Sequence, residues 1–166
     1  MADSVDFSDY VEARWPTLVR SAVLLGCSVT EAEDLVQNAL ERCLVKWRTV
    51  ATARDPDAYV HRVLINAFIS SRRRRWIGEI PSEVLPEAAD TDETARVDDA
   101  DVVLRALSRL TTDQRAAVVL RFYAHLGQQQ MAAVLGVAEG TVKSRLSRAL
   151  EKLAEDPHLE ELRGSV

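Results

Sequence analysis

Eleven residues near the C-terminal end, Gly-Thr-Val-Lys-Ser-Arg-Leu-Ser-Arg-Ala-Leu (140–150), concentrate the recognition chemistry of this chain. On a helix, Lys143, Ser144, Ser147 and Arg148 share one face with Arg145 to one side, while Val142, Leu146, Ala149, Leu150 and Leu153 form an apolar stripe. Arginine and lysine on such a face can reach guanine edges in a DNA major groove, and backbone amides near Thr141 can meet a phosphate. A second concentration is Arg72-Arg73-Arg74-Arg75, preceded by Tyr59, Val63, Asn66 and Ser70 at intervals of four, three and four. Arginines at a helix C-terminus complement its dipole, and beside another candidate DNA-contacting element they also suggest phosphate contacts. Bond-making chemistry is missing. No nucleophile is paired with a base, no glycine-rich loop cradles phosphate, and no cluster of metal ligands is visible, so neither an enzyme nor a cofactor is expected.

These groups need helices to hold them. A helix-turn-helix requires a small residue where the second helix crosses the first, and a glycine at the turn. Ala132 and Gly136 occupy those places, with Met131, Leu135, Val137, Val142 and Leu146 as the internal contacts. Upstream, Thr111-Thr112-Asp113-Gln114 reads as a capping box opening a helix that turns Ala117, Leu120 and Tyr123 inward, after a helix beginning near Val102. In the N-terminal half, Ser8 is expected to cap a short helix. Pro16 should open a second helix that stops at Gly26, and Thr30-Glu31-Ala32-Glu33 should cap a third. That third helix buries Leu35, Ala39 and Cys43, with Val36, Leu40 and Trp47 beside them. Asp55-Pro56 starts the helix that runs into the arginines. The fold class is all-α, with two small helical domains, 6–76 and 102–160, joined by an acidic linker, 77–101.

Net charge is −5, which at face value disfavours a nucleic-acid partner, but the distribution reverses that reading. Residues 1–76 are net +1 and residues 102–166 net +2, whereas 77–101 carry nine acids against Arg96 alone. That acidic stretch has two prolines and few large apolar residues, as a linker does. Each flanking domain keeps its own basic patch. No apolar run is long enough to span a membrane and the N-terminus is acidic, so a cytoplasmic protein is expected, without membrane insertion. Cys27 and Cys43 read as small buried hydrophobes.

Three blocks carry a family likeness: AEDLVQNALERCLVKW (32–47), DAYVHRVLINAFISSRRRR (57–75) and the stretch from Leu110 to Leu153 that ends in GTVKSRLSRALEKL. In them the chain resembles the extracytoplasmic-function sigma factors of bacterial RNA polymerase, the smallest class of the sigma-70 family. The first two blocks look most like actinobacterial members. The resemblance implies regions 2 and 4 of that family and promoter-specific transcription initiation with core polymerase. It implies that Glu33, Asp34, Gln37, Asn38, Glu41 and Arg42, around Leu35 and Leu40, dock on the clamp of the largest polymerase subunit. The spacing agrees, since Asp34, Gln37, Asn38 and Glu41 share one helical face. By the same likeness, the loop Arg48–Asp57 and Asn66 would hold a flipped base of the −10 element, an amide being able to donate and accept along an unstacked base edge. Ser70 and Arg72, Arg73, Arg74 and Arg75 would touch the melting strand. Thr141, Lys143, Ser144, Arg145, Ser147 and Arg148 would serve the −35 element. The linker would lie along the path of the nascent RNA. Many members are held by an anti-sigma factor, which joins promoter DNA and core polymerase as an expected partner.

The chain departs from the family pattern in places. Gly127 and Gln130 stand where Ser or Thr and Glu are usual, Ala138 where a capping Ser is common, Asn38 for an acid and Leu40 for an aromatic. The rival reading, a DNA-binding regulator that works without polymerase, leaves the 32–47 block and the arginine run unexplained.

Overall fold

Where the sequence predicts two helices near the N-terminus, the computed structural model, which describes residues 5–78 and 99–163, has one. Helix α1 spans Phe7–Leu25 with Pro16 inside it; Asp6 is its N-cap residue and Ser8 lies in the first turn. Pro16 removes one amide donor. The face on either side of it is continuous, however, burying Tyr10 before and Leu18, Ser21, Ala22 and Leu25 after, and a break would disrupt that packing. Gly26 ends the helix as expected, in the left-handed region at φ 116°.

Helix α2 (Val29–Val45) starts earlier than predicted. Ser28, not Thr30, is the cap. Its hydroxyl accepts from the Glu31 amide at 3.2 Å, and the Glu31 carboxylate accepts from the Ser28 amide at 2.9 Å. Ser28 and Glu31 have the same capping-box spacing, and using them adds residues to the helix. Its expected inward face, Leu35, Val36, Ala39, Leu40 and Cys43, is buried, and burial pushes the Cys43 thiol up to about 11. Trp47 opens the short α3 (Trp47–Ala51); its ring meets Phe7 and Tyr10 at centroid distances of 5.1 Å, and its indole N–H donates to the Val5 carbonyl at 2.9 Å. Helix α4 (Pro56–Gly78) begins as predicted, with Asp55 Oδ1 accepting from the Ala58 amide at 3.0 Å, and continues through the arginine run. Most of the expected linker, residues 79–98, lies outside the described residues.

The C-terminal half contains α5 (Asp99–Ser108), α6 (Thr112–Val118), α7 (Gln128–Leu135), α8 (Glu139–Ala154) and α9 (Pro157–Arg163). Thr111 and Gln114 form the predicted capping box. Helix α6 does not continue as an α-helix: residues Val119–Tyr123 make a π-helical turn, closed by the Ala124 amide on the Val119 carbonyl at 3.0 Å. Buried Asp156 secures α9, pairing with Arg109 at 3.2 Å and accepting from the His158 amide at 3.0 Å. One hydrophobic core runs through both halves. Helices α1, α2 and α4 pack together, α6, α7 and α8 pack together, and α4 against α7 and α1 against the π turn join the two groups.

His61 of α4 sits inside this core against α1. Its Nδ1–H donates to the Asp57 carbonyl at 2.8 Å, because a carbonyl can only accept, and Nε2 is left facing the Ser21 hydroxyl at 3.5 Å. Burial holds its pKa below the usual value, against opposing contributions from the Asp57 carbonyl and the nearby Asp57 and Asp55 carboxylates, and with a small assisting one from Arg14. The unfolded chain therefore binds a proton near pH ~6.5 that the folded chain refuses. Stability from this group is fully present above that pH and is lost as pH falls below it, at no more than ~1.4 kcal/mol per pH unit. The urea midpoint should fall between pH 7 and pH 5.5, and His61→Gln should flatten that dependence. An equal slope in both proteins would contradict the assignment.

Candidate nucleic-acid interfaces and docking face

The helix-turn-helix is built as the sequence predicts. Gly136 takes φ 65°, and a Cβ there would meet nothing within 4 Å, so backbone conformation alone calls for glycine. Met131 and Val142 are completely enclosed, Ala149 likewise, and the Gln128 side-chain amide donates to the Glu139 carbonyl at 3.1 Å, tying the start of α7 to the start of α8. With Val142 and Ala149 fixed inward, Lys143, Ser144, Ser147 and Arg148 are all exposed together on the outer face. Arg145 is different: its guanidinium pairs with Asp113 of α6 at 3.3 Å and is partly covered. Thr141 is also engaged. Its amide donates to Ala138 and its carbonyl accepts from the Ser144 hydroxyl, both at 3.0 Å. The amides without an intrahelical acceptor are instead those that lead the helix, Glu139 and Gly140.

On α4, Asn66 and Ser70 are exposed while Tyr59 and Val63 are half-buried. Arg73 and Arg74 are exposed too, but Arg72 turns back across the domain. It donates to the Gly26 carbonyl at 3.1 Å and stands 5.1 Å above the Phe68 ring. The side chain of Arg75 lies outside the described residues. Arg62, which the sequence reading missed, is exposed one turn before Asn66. The signal was its four-residue offset from Asn66, which places both on one face. The expected loop Arg48–Asp57 is partly the helix α3, and the Thr52 hydroxyl donates to the Arg48 carbonyl at 2.8 Å. Asp57 accepts from the Tyr10 hydroxyl and pairs with Arg14, each at 2.9 Å. Burial, then that hydrogen bond, raises the Tyr10 phenol far above its ordinary value, so it remains a donor to Asp57.

The outer face of α2 exposes Glu33, Asp34, Gln37, Asn38, Glu41 and Arg42, and the Gln37 amide reaches Glu41 at 3.3 Å. Leu35 and Leu40 do not join this surface: both are buried among the helices of their own domain, so they set the angle of the face without belonging to it. Leu44 and Val45 extend the face as exposed apolar side chains, 51% and 85% accessible, which the sequence reading also missed.

Ala138 leads α8 with φ −66° and ψ 151°, the backbone of an N-cap, and has no side-chain acceptor to offer. Ala138→Ser should raise the unfolding free energy by ~1 kcal/mol, read from urea denaturation of the full chain. An unchanged midpoint would mean that the first turn of α8 is held from elsewhere.

Residues 10–77 match the family described as Sigma-70 region 2, and residues 100–153 match Sigma-70, region 4. The chain is 39% identical over 156 residues to the RNA polymerase sigma-E factor of Streptomyces coelicolor, covering 94% of this chain and 88% of that protein. It is 34% identical over 141 residues to the ECF RNA polymerase sigma factor SigL of Mycobacterium tuberculosis, covering 82% of this chain and 80% of that one. Among solved structures it is similar to a chain in the complex of the sigma factor RpoE with the anti-sigma factor NepR from Bartonella quintana. The TM-score there is 0.74 at 30% identity, over 93% of this chain and 97% of that chain.

Proposed function

This chain belongs to the sigma-70 family as a sigma factor of transcription initiation, and from that premise we propose how its surfaces divide the work. The outer face of α8 reads the −35 element, Arg148 and Lys143 reaching base edges while Ser144 and Ser147 hydrogen-bond nearby. The exposed face of α4, with Asn66, Ser70, Arg73 and Arg74, engages the −10 element as it opens, and Arg62 joins it. The face of α2 with Glu33, Asp34, Gln37, Asn38, Glu41 and Arg42 docks on the clamp of core polymerase. Region 2 corresponds to 6–76 and region 4 to 102–160. An anti-sigma factor is the expected regulator, by analogy with the RpoE–NepR complex. The protein contributes recognition to the polymerase and no catalysis of its own, and it acts in the cytoplasm, where the polymerase is. No helix among the described residues is long and apolar enough to cross a membrane.

The observation that carries this reading is the outer face of α8: four polar or basic side chains are presented together because Val142 and Ala149 opposite them are buried. Run-off transcription with core polymerase on a promoter library tests it, the expected result being transcripts from a restricted promoter set. Transcription indifferent to promoter sequence would refute it. On a selected promoter, Arg148→Ala should lose ~1–3 kcal/mol of discrimination at one −35 base pair. Asn66→Ala should leave that preference intact and reduce permanganate-reactive thymines at −10. Reversal of those two phenotypes would exchange the roles.

Core docking has its own test. Asp34→Ala with Gln37→Ala removes two exposed side chains and substitutes a good helix former, so the helix should persist. Competition for core polymerase should weaken about tenfold, with circular dichroism unchanged. Undiminished competition would remove α2 from the interface.

A further inference from the structure

Phosphate contacts add affinity to every DNA sequence alike, and base contacts choose among sequences. Of the cations in the α8 recognition motif, Lys143 and Arg148 project from the outer face and Arg145 does not. At about 100° per residue, Arg145 lies roughly 60° beyond Arg148. It thus occupies the flank between the exposed face and the buried Val142 and Ala149. A helix is roughly 10–12 Å across and the major groove about 12 Å wide, so the flanks of a seated helix face the phosphate walls. Arg145 therefore stands where a cation would meet phosphate.

Its charge is already engaged. The guanidinium of Arg145 reaches the Asp113 carboxylate at 3.3 Å. Asp113 comes from the first turn of α6, where the helix dipole favours a carboxylate. It takes no part in the cap, which Thr111 and Gln114 make between them. Asp55 also meets the recognition unit, but through α7, accepting from the side-chain amide of Gln130. Among the described residues, Asp113 alone sets a carboxylate against a cation of α8. The Asp113 side chain is 62% accessible and that of Arg145 only 24%, so a phosphate approaching from solvent meets the carboxylate before the guanidinium.

We propose that Asp113 is a positioning residue that withholds Arg145 from the phosphate backbone, and so limits the sequence-independent part of −35 binding. The proposal rests on the −35 reading by α8 given above and adds the residue of α6 that sets its strength. Base preference stays with Lys143 and Arg148. An exposed pair of this kind adds little stability, so its removal leaves the fold in place.

The test measures equilibrium promoter binding by the holoenzyme across a range of salt concentrations, on a promoter with its selected −35 element and on one with that element scrambled. Asp113→Asn keeps size and polarity, and Asp113→Ala removes every acceptor; circular dichroism should match the wild type for both. Each should bind both promoters several-fold more tightly near 0.1 M salt. The plot of log affinity against log salt should steepen by about 0.9, the value for one added phosphate contact. The ratio of affinities for the two promoters should not change. In an Arg145→Gln background the same substitutions at Asp113 should have little effect, closing a double-mutant cycle on the pair. An unchanged slope in folded variants would overturn the proposal. So would an equal effect in the Arg145→Gln background, which would mean that the carboxylate repels DNA by itself. A gain confined to the intact −35 element would place Arg145 on a base and overturn the phosphate assignment. Equal binding of both promoters by the wild type would instead overturn the −35 reading, whatever Asp113 does.

Discussion

A helix that stops at a left-handed glycine turns its last carbonyls toward whatever lies beyond it. At Gly26 those carbonyls face two guanidiniums, Arg72 from the long helix of the first domain and Arg115 from the second. Much of the architecture hangs on this point. Arg72 fixes α4 against the end of α1, and so fixes the azimuth of the face that carries Arg62, Asn66 and Arg73. Arg115 brings α6 to the same place. Crowding makes the point intolerant, since a Cβ on Gly26 would lie 3.2 Å from a nitrogen of each arginine, on a backbone at φ 116° that side chains already resist. Neutral acceptors are what allow two cations to converge, because the helix end offers partial negative charge without a carboxylate to desolvate.

Periodicity made the inward faces legible. Leu35, Ala39 and Cys43 in α2, Ala117 and Leu120 after Thr111, and Val142 and Ala149 in α8 are buried where three- and four-residue spacing puts them. The all-α class and the turn at Gly136 follow from the same pattern. Local signals with two solutions were less decisive. Ser28 and Thr30 each precede a glutamate by three residues, and the longer helix prevailed. Pro16 looked like a helix start because a proline suits that position, yet packing on both sides of it carried the helix through. The π turn has no pattern that spacing alone would expose. Side chains that act across the fold were the least visible: nothing near Arg72 in the chain announces Gly26, and nothing near Gln130 announces Asp55.

Charge shows the same division between local and distant information. A chain of net −5 presents basic faces because nine of its acids are gathered at 77–101, others lie on the outer face of α2, and three are bound to particular cations. Asp57 holds Arg14, Asp156 holds Arg109 and Asp113 holds Arg145. Arg145 therefore sits at the border of the α8 face, oriented by α6, whereas Lys143 and Arg148 project without a pairing acid among the described residues. The two more exposed pairs, on Asp57 and Asp113, add little stability. Their effect here is to decide which cations remain available to a phosphate or a base.

The π turn at Val119–Tyr123 has a consequence for how this chain can change over generations. A π turn is an α-helix with a surplus residue, and loss of any one codon within it would restore regular winding. Because the surplus residue is absorbed within the turn itself, the winding on either side would keep nearly the same phase after such a loss. What would change is the joint: the Leu126 amide, now seated on the Leu120 carbonyl at 3.0 Å, would have to find a new partner. A single-codon deletion here would thus rework the connection that leads into the recognition unit while leaving the sequences of α7 and α8 untouched.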